Sequence, residues 1–262
     1  MPIPSSAVAL TWCATYFSAM TEPVRLAKRL AEMIPCSRSQ AEQYIEGGWV
    51  RVNGRVEESP QHRVTTERIE LDPQATLLDS VPMTVLLHKP VGFDWGDGAK
   101  PAGELLTEGG RSKADRSIRL LKRHLKDHVC VTPLEPGASG LMVFTQDASV
   151  QRKLWDDAVW VENELIVDVT GEVNDDIMRQ LNRPLLRNDR PVLVAKVALS
   201  KQTDAVTGLR FAVKGGQLGA VATVCEHAGL RVVGMKRIRV GRVPMADLAV
   251  GQWRFLTEHE RF

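Results

Sequence analysis

The sequence predicts an α+β chain in two parts: a small module of two helices and a hairpin, then a larger domain of strands with flanking helices. Three observations carry this. Two short helical stretches and an Asn-Gly turn crowd together between residues 24 and 56. Beyond residue 82 the strand-like runs outnumber the helical ones. Those strands do not alternate regularly with helices, which argues against a parallel sheet built from βαβ units. The length of 262 residues suits one medium domain beside a small one, and 44% hydrophobic with 25% charged residues is ordinary globular composition.

The elements follow in order. Residues 1–22 are expected as an N-terminal extension, flexible or packed as a short arm. Residues 3–20 carry no charge, but no basic stretch precedes them as a signal peptide needs, and Pro4, Ser5, Ser6, Thr11, Thr15 and Ser18 dilute them too far for a membrane span. The small module is placed at 23–73. VRLAKRLAEMI repeats Leu26, Leu30 and Ile34 at helical spacing, and Pro35 stops it. Ser37 with Gln40 fits a capping box for a second helix that Gly47-Gly48 ends. Trp49, Val50 and Val52 lead into the Asn53-Gly54 hairpin turn, and RVTTERIELDP is a further strand. Residues 74–82 read as a linker, and the domain at 83–262 opens with the buried strand MTVLLHKPVG.

Residues 93–115, rich in Gly, Asp and Lys, read as a mobile loop. RSIRLLKRHLK, 116–126, reads as a basic amphipathic helix. A strand, loop and strand then span VCVTPLEPGASGLMVFTQD, and SVQRKLWDDAVW is a helix. ENELIVDVTGEV is a strand and NDDIMRQLN a short helix. RPVLVAKVALSK and GLRFAVKGG are strands, and AVATVCEHAGL is a helix stopped at Gly229. RVVGMKRIRVGRV is a bent strand or strand pair, and GQWRFLT closes the domain.

Several chemistries are excluded. Both tyrosines, Tyr16 and Tyr44, precede residue 50, so no phenol serves the larger domain. Cys13, Cys36, Cys130 and Cys225 form no CxxC pair, which argues against zinc or a disulfide scaffold and for a reducing cytoplasm. There is no P-loop and no GxGxxG with a following acid. Gly137-Ala138-Ser139-Gly140 fails as a nucleophile elbow because Leu141 stands where a glycine is needed. His124 and His128 have i,i+4 spacing, but nothing near them completes a metal site, so they read as an exposed helical pair.

In the small module, the spacing of Arg25, Leu26, Lys28, Ser37, Arg38, Ala41, Ile45, Gly48, Val50, Val52, Asn53 and Gly54 resembles an S4 RNA-binding module. HKPVG at 88–92, PLEPGASGLMVFTQD at 133–147 and the tail from Cys225 to Thr257 resemble the catalytic domain that follows S4 in bacterial ribosomal RNA pseudouridine synthases. The resemblance implies a mainly antiparallel synthase-like sheet, structured RNA, expected to be ribosomal, as partner, no cofactor and no metal. A monomer with no membrane association is expected. The implied reaction breaks the glycosidic bond of a uridine, turns the base and rejoins it through carbon.

The central motif departs from the family at the site. The family's aspartate is Glu135 here, one methylene longer. That moves the reacting oxygen by about 1 Å, enough to lower a rate on the order of 100-fold. The family's arginine two residues earlier is Pro133, its base-packing tyrosine is Leu165, and its basic run before the Cys-Glu pair reads LGAVATV at 218–224. The resemblance makes Glu135 the candidate catalytic carboxylate, with Lys89, Pro133, Ser139 and Leu165 shaping its loops. Two readings stay open, an RNA isomerase with reduced activity and a non-catalytic RNA- or ribosome-binding protein. A protein-interaction scaffold using the N-terminal arm is a weaker third.

The charge is placed unevenly. Between Thr21 and Glu70 eight basic residues face eight acidic ones, so RNA contact there rests on Arg25, Lys28, Arg29 and Arg38. Residues 111–126 hold seven cations, Arg116, Arg119, Lys122 and Arg123 among them, against Asp115. Lys236 and Arg237 in the tail are further candidates for phosphate contact.

Overall fold

The computed structural model describes residues 22–77, 81–116, 118–215 and 217–262. The expected N-terminal extension lies almost wholly outside them. The chain divides into two compact units, Met1–Ser80 with Leu121–Arg123, and Val81–Leu120 with His124–Phe262.

In the first unit, β1 (Val24–Arg25) leads directly into α1 (Leu26–Met33), and α2 (Arg38–Glu46) follows Pro35. The predicted capping box is present: the Gln40 N–H donates to Ser37 Oγ at 3.2 Å, and the Ser37 N–H donates to Gln40 Oε1 at 2.8 Å. Helices of 8 and 9 residues are not stable alone. These bury Leu26, Ala27, Leu30, Ala41 and Ile45 against Val50 and Val64. β2 (Val50–Val52) and β3 (Arg55–Val56) form the hairpin, with Asn53 and Gly54 both at positive φ. β4 (Arg63–Val64) pairs with β1, and β5 (Ile69–Leu71) with β2.

The second unit is built on a mixed sheet. In chain order it comprises β6 (Thr84–Lys89), β7 (Val129–Cys130), β8 (Ser139–Thr145), α3 (Ala148–Trp155), β9 (Glu162–Thr170), α4 (Asp175–Leu181), β10 (Leu186–Arg187), β11 (Arg190–Pro191), β12 (Val194–Gln202), β13 (Thr207–Lys214), α5 (Ala220–His227), β14 (Arg231–Val240), β15 (Val243–Pro244) and β16 (Trp253–Phe255). The main sheet runs β12-β13-β9-β14-β8-β6-β16, with β15 paired to β14 and β7 to β8. Every neighbouring pair is antiparallel except β14 and β8.

Strands β6 and β8 are buried on both faces. Val85, Leu87, Met142 and Phe144 pack with Trp253 on one side, and Leu86, Leu141 and Val143 pack with Leu154 and Val240 on the other. This is why both read as unbroken apolar runs. The parallel pairing of β8 with β14 aligns Gly140 with Arg237. Gly140 has φ of +114°, and a Cβ there would lie 2.2 Å from the Arg237 carbonyl oxygen. Only glycine permits this approach.

Three expectations are corrected. The basic helix expected at 116–126 is not helical beyond a 3₁₀ turn at Lys122–Leu125. Ile118 and Leu120, two residues apart, both pack on the core beside Trp253 and Phe255, so the chain there follows a strand-like period. The segment 93–115 is not a loose loop: it forms 3₁₀ turns at Ala102–Leu105 and Glu108–Gly110, buries Ala102 and Leu106, and accepts the Trp253 indole N–H at the Thr107 carbonyl, 2.7 Å. His124 is buried edge-on against Phe255 and His128 Nε2 lies 2.8 Å from the His124 carbonyl, so the two are not an exposed helical pair. Among the described residues no helix is long and apolar enough to cross a membrane.

Candidate active site

Glu135 lies in the turn between β7 and β8, closed by the Ala138 N–H donating to the Glu135 carbonyl at 3.0 Å. Its side chain lines a cavity of about 160 Å³ with Pro133, Leu134, Leu165, Met235 and Arg237. Glu135 Oε1 accepts the Gly219 N–H at 2.6 Å. Gly219 caps α5 with φ of +83°, so the carboxylate meets the positive end of that helix. Among the described residues Oε2 has no hydrogen-bond partner.

Two buried cations hold the frame around this carboxylate. Arg237 is 7% exposed, and its guanidinium donates to the carbonyls of Leu141 (2.7 Å), Pro133 (3.1 Å) and Thr132. Burial lowers its pKa to about 10, against the opposing pull of Cys130 and Glu135. Expected as a surface cation, Arg237 is committed to backbone instead, because β14 runs through the middle of the sheet. Lys89 is fully buried and donates to the carbonyls of Pro90 (3.0 Å) and Phe93 (2.9 Å), with a longer contact to Pro136 (3.5 Å). Desolvation lowers its pKa to about 8; Asp94 and Glu135 oppose this and Arg237 adds to it. The Gly92 N–H also donates to the Pro136 carbonyl, 2.7 Å, so the turn after Lys89 is tied to the turn after Glu135.

Leu165 stands on β9 between Phe211 and Arg237 in register and forms an apolar wall of the cavity. Ser139 Oγ donates to the Met235 carbonyl at 3.4 Å, outside the cavity lining. Of the sequence candidates, Glu135, Pro133, Leu165 and Arg237 therefore share one cavity, while Lys89 and Ser139 support its walls. Gly219 is the contact that sequence reasoning missed. In the tail motif it reads as a lost cation, but its backbone N–H makes the direct bond to Glu135.

The remaining cations are surface groups. Arg25, Lys28 and Arg38 are exposed and Arg29 half-buried, and Lys28 and Arg29 both approach Glu32, at 4.0 and 3.8 Å. Arg116, Arg119 and Lys122 are exposed and Arg123 is half-buried. Lys236 is half-buried beside Ser139 and Ile166. Among the described residues no group of three or more His, Cys, Asp or Glu is arranged to hold a metal ion.

This is an S4 domain followed by a domain with a pseudouridine synthase-like fold, and comparison with known proteins gives the relatives. The S4 domain model matches residues 24–69. A solved structure described as a pseudouridylate synthase aligns with a TM-score of 0.55 and 21% identity, covering 90% of this chain and 96% of its own. An uncharacterized RNA pseudouridine synthase of Aquifex aeolicus is 26% identical over 241 residues, covering 90% of this chain and 94% of the relative. The dual-specificity RNA pseudouridine synthase RluF of Escherichia coli is 26% identical over 246 residues, covering 90% and 77%. Ribosomal large subunit pseudouridine synthase B of Xanthomonas axonopodis is 27% identical over 231 residues, covering 84% of this chain but 40% of the relative. The chain thus spans less than half the length of some curated homologues and nearly all of another.

Proposed function

We propose that this chain binds structured ribosomal RNA and isomerises a uridine to pseudouridine at a rate lowered by its altered site, with Glu135 as the reacting carboxylate. The observation that carries this is the placement of Glu135: it lines a cavity, one oxygen is held by the Gly219 N–H, and the other has no partner among the described residues. A carboxylate so held can attack the target nucleotide once the uridine has left its stack. No cofactor is required. The protein acts as a monomer in a reducing cytoplasm, and the linker at 74–82 joins the S4 domain to the domain that carries Glu135. Arg25, Lys28, Arg29, Arg38, Arg116, Arg119, Lys122, Arg123 and Lys236 supply phosphate contacts.

A second reading, an RNA-binding protein without the reaction, is favoured by Pro133 and Leu165. Neither offers the guanidinium or phenol that the family motif carries at those positions. Pseudouridine mapping across total RNA, comparing a parent strain with its deletion, separates the two. A site lost on deletion, restored by the chain and not by Glu135→Ala, is expected. Glu135→Asp is expected to raise the rate. A pseudouridine map indifferent to both substitutions would establish the binding reading.

A further inference from the structure

We propose that the groove beside the Glu135 cavity binds a single-stranded RNA segment next to the target nucleotide, stacking one of its bases on Trp160. This rests on the RNA-acting reading above and adds a site that the family motifs do not contain. The groove has a volume of about 1310 Å³ and is lined by Trp160, Arg187, Arg190, Lys214 and Leu218, among others. It shares Gln217, Leu218 and Ala220 with the cavity that holds Glu135, so the two are adjacent. Among the described residues no carboxylate side chain lines it.

Trp160 is 75% exposed at the end of the 3₁₀ turn Ala158–Trp160. That turn is fixed: the Trp160 N–H donates to the Asp157 carbonyl at 2.8 Å and the Val161 N–H to the Ala158 carbonyl at 3.1 Å. Val159 packs beside Gly215, where a Cβ would sit 3.6 Å from the Val159 Cα. A large aromatic face is thus held in water on a preset backbone, and covering it with a base removes apolar surface from solvent.

The charge beside it has a matching form. β10 and β11 join through Asn188 and Asp189, both at positive φ, which puts Arg187 directly opposite Arg190. Like charges opposed across two strands are unfavourable. Among the described residues neither arginine makes an ion pair, and neither does Lys214. A phosphate between the two arginines turns the repulsion into attraction. An aromatic platform with a cationic track and no acid is the pattern that binds single strands with little sequence preference. The apolar groups here, Trp160, Val159, Val194 and Leu218, alternate with Arg187, Arg190 and Lys214 rather than forming one apolar centre, which suits a polyanionic strand better than the desolvated core of a protein interface.

The test uses the full chain and two labelled probes, an unstructured oligoribonucleotide and a folded ribosomal RNA hairpin, with affinity followed against salt. Trp160→Ala is expected to weaken single-strand binding about tenfold and Trp160→Phe much less. Replacing Arg187 and Arg190 together by Ala is expected to lower the salt slope by about 1.4. Because Trp160 is a surface residue, unchanged circular dichroism will show that the variant is folded. Single-strand binding that is unchanged in Trp160→Ala, or that does not respond to salt, overturns the groove assignment even when the hairpin still binds. Failure of the unaltered chain to bind either RNA overturns the underlying RNA reading as well.

Discussion

The Arg237 guanidinium holds three backbone carbonyls at once, two of them on the strand of chain leading to Glu135. Replacing it with Met keeps much of the volume but leaves the carbonyls of Thr132, Pro133 and Leu141 unpaired in the interior. Arg237→Met is expected to destabilise the fold by about 3 kcal/mol in urea titration, and Arg237→Lys to recover only part because an ammonium cannot fork. Lys89 gives a pH signature. Its folded pKa of about 8 lies below the ordinary 10.5, so between those values the unfolded chain binds the proton and the folded chain does not. Stability contributed by Lys89 therefore rises with pH across that window and is absent below pH 8. Cys130 and Cys225, raised by burial to about 11, act with the opposite sign. Melting temperatures compared between the parent chain and Lys89→Met isolate the lysine; the rise with pH is expected to be smaller in the variant. Glu135 was legible in the sequence by its motif frame. The burial of Arg237 was not, because strand alternation cannot say which face meets solvent when both faces of a sheet are covered.

Among elements, the pairing of β8 with β14 depends most on a single residue. A side chain at position 140 would collide with the Arg237 backbone, and φ of +114° disfavours any residue with a Cβ. Gly140→Ala is expected to separate these strands at this point, costing several kcal/mol and lowering soluble yield and urea midpoint together. Helix α2 of the first unit was readable because its cap is local: Ser37 and Gln40 find their partners three residues away. The basic segment at 116–126 was misread for the converse reason. Its cations suggested a solvated helix face, whereas Ile118 and Leu120 are drawn to a core made by strands more than 100 residues later in the chain, at Trp253 and Phe255.

At the scale of the whole molecule, a two-helix-and-hairpin module ahead of a strand-rich domain was legible from periodicity, capping and turn signals, and its likeness to S4 from the spacing of Arg25 to Gly54. The order of strands in the sheet was not, because no local signal places β14 between β9 and β8. That placement has a kinetic consequence. Strands β6 and β8 are complete by Thr145 and the β13-β9 pair by Lys214, yet the strand that joins them begins at Arg231. Part of β8 is already covered by β7, so the long open edge is that of β9: at about 5–20 residues per second, a chain under synthesis carries it unpaired for on the order of 4–14 s. Open apolar edges recruit other chains. A chain ending at residue 230 is expected to aggregate on expression, read as loss from the soluble fraction, while the chain carrying β14 stays soluble. The strand that brings Arg237 to the Glu135 turn is also the one that closes the sheet. The pocket cannot form on the nascent chain before β14 has been made, and any activity waits for that strand.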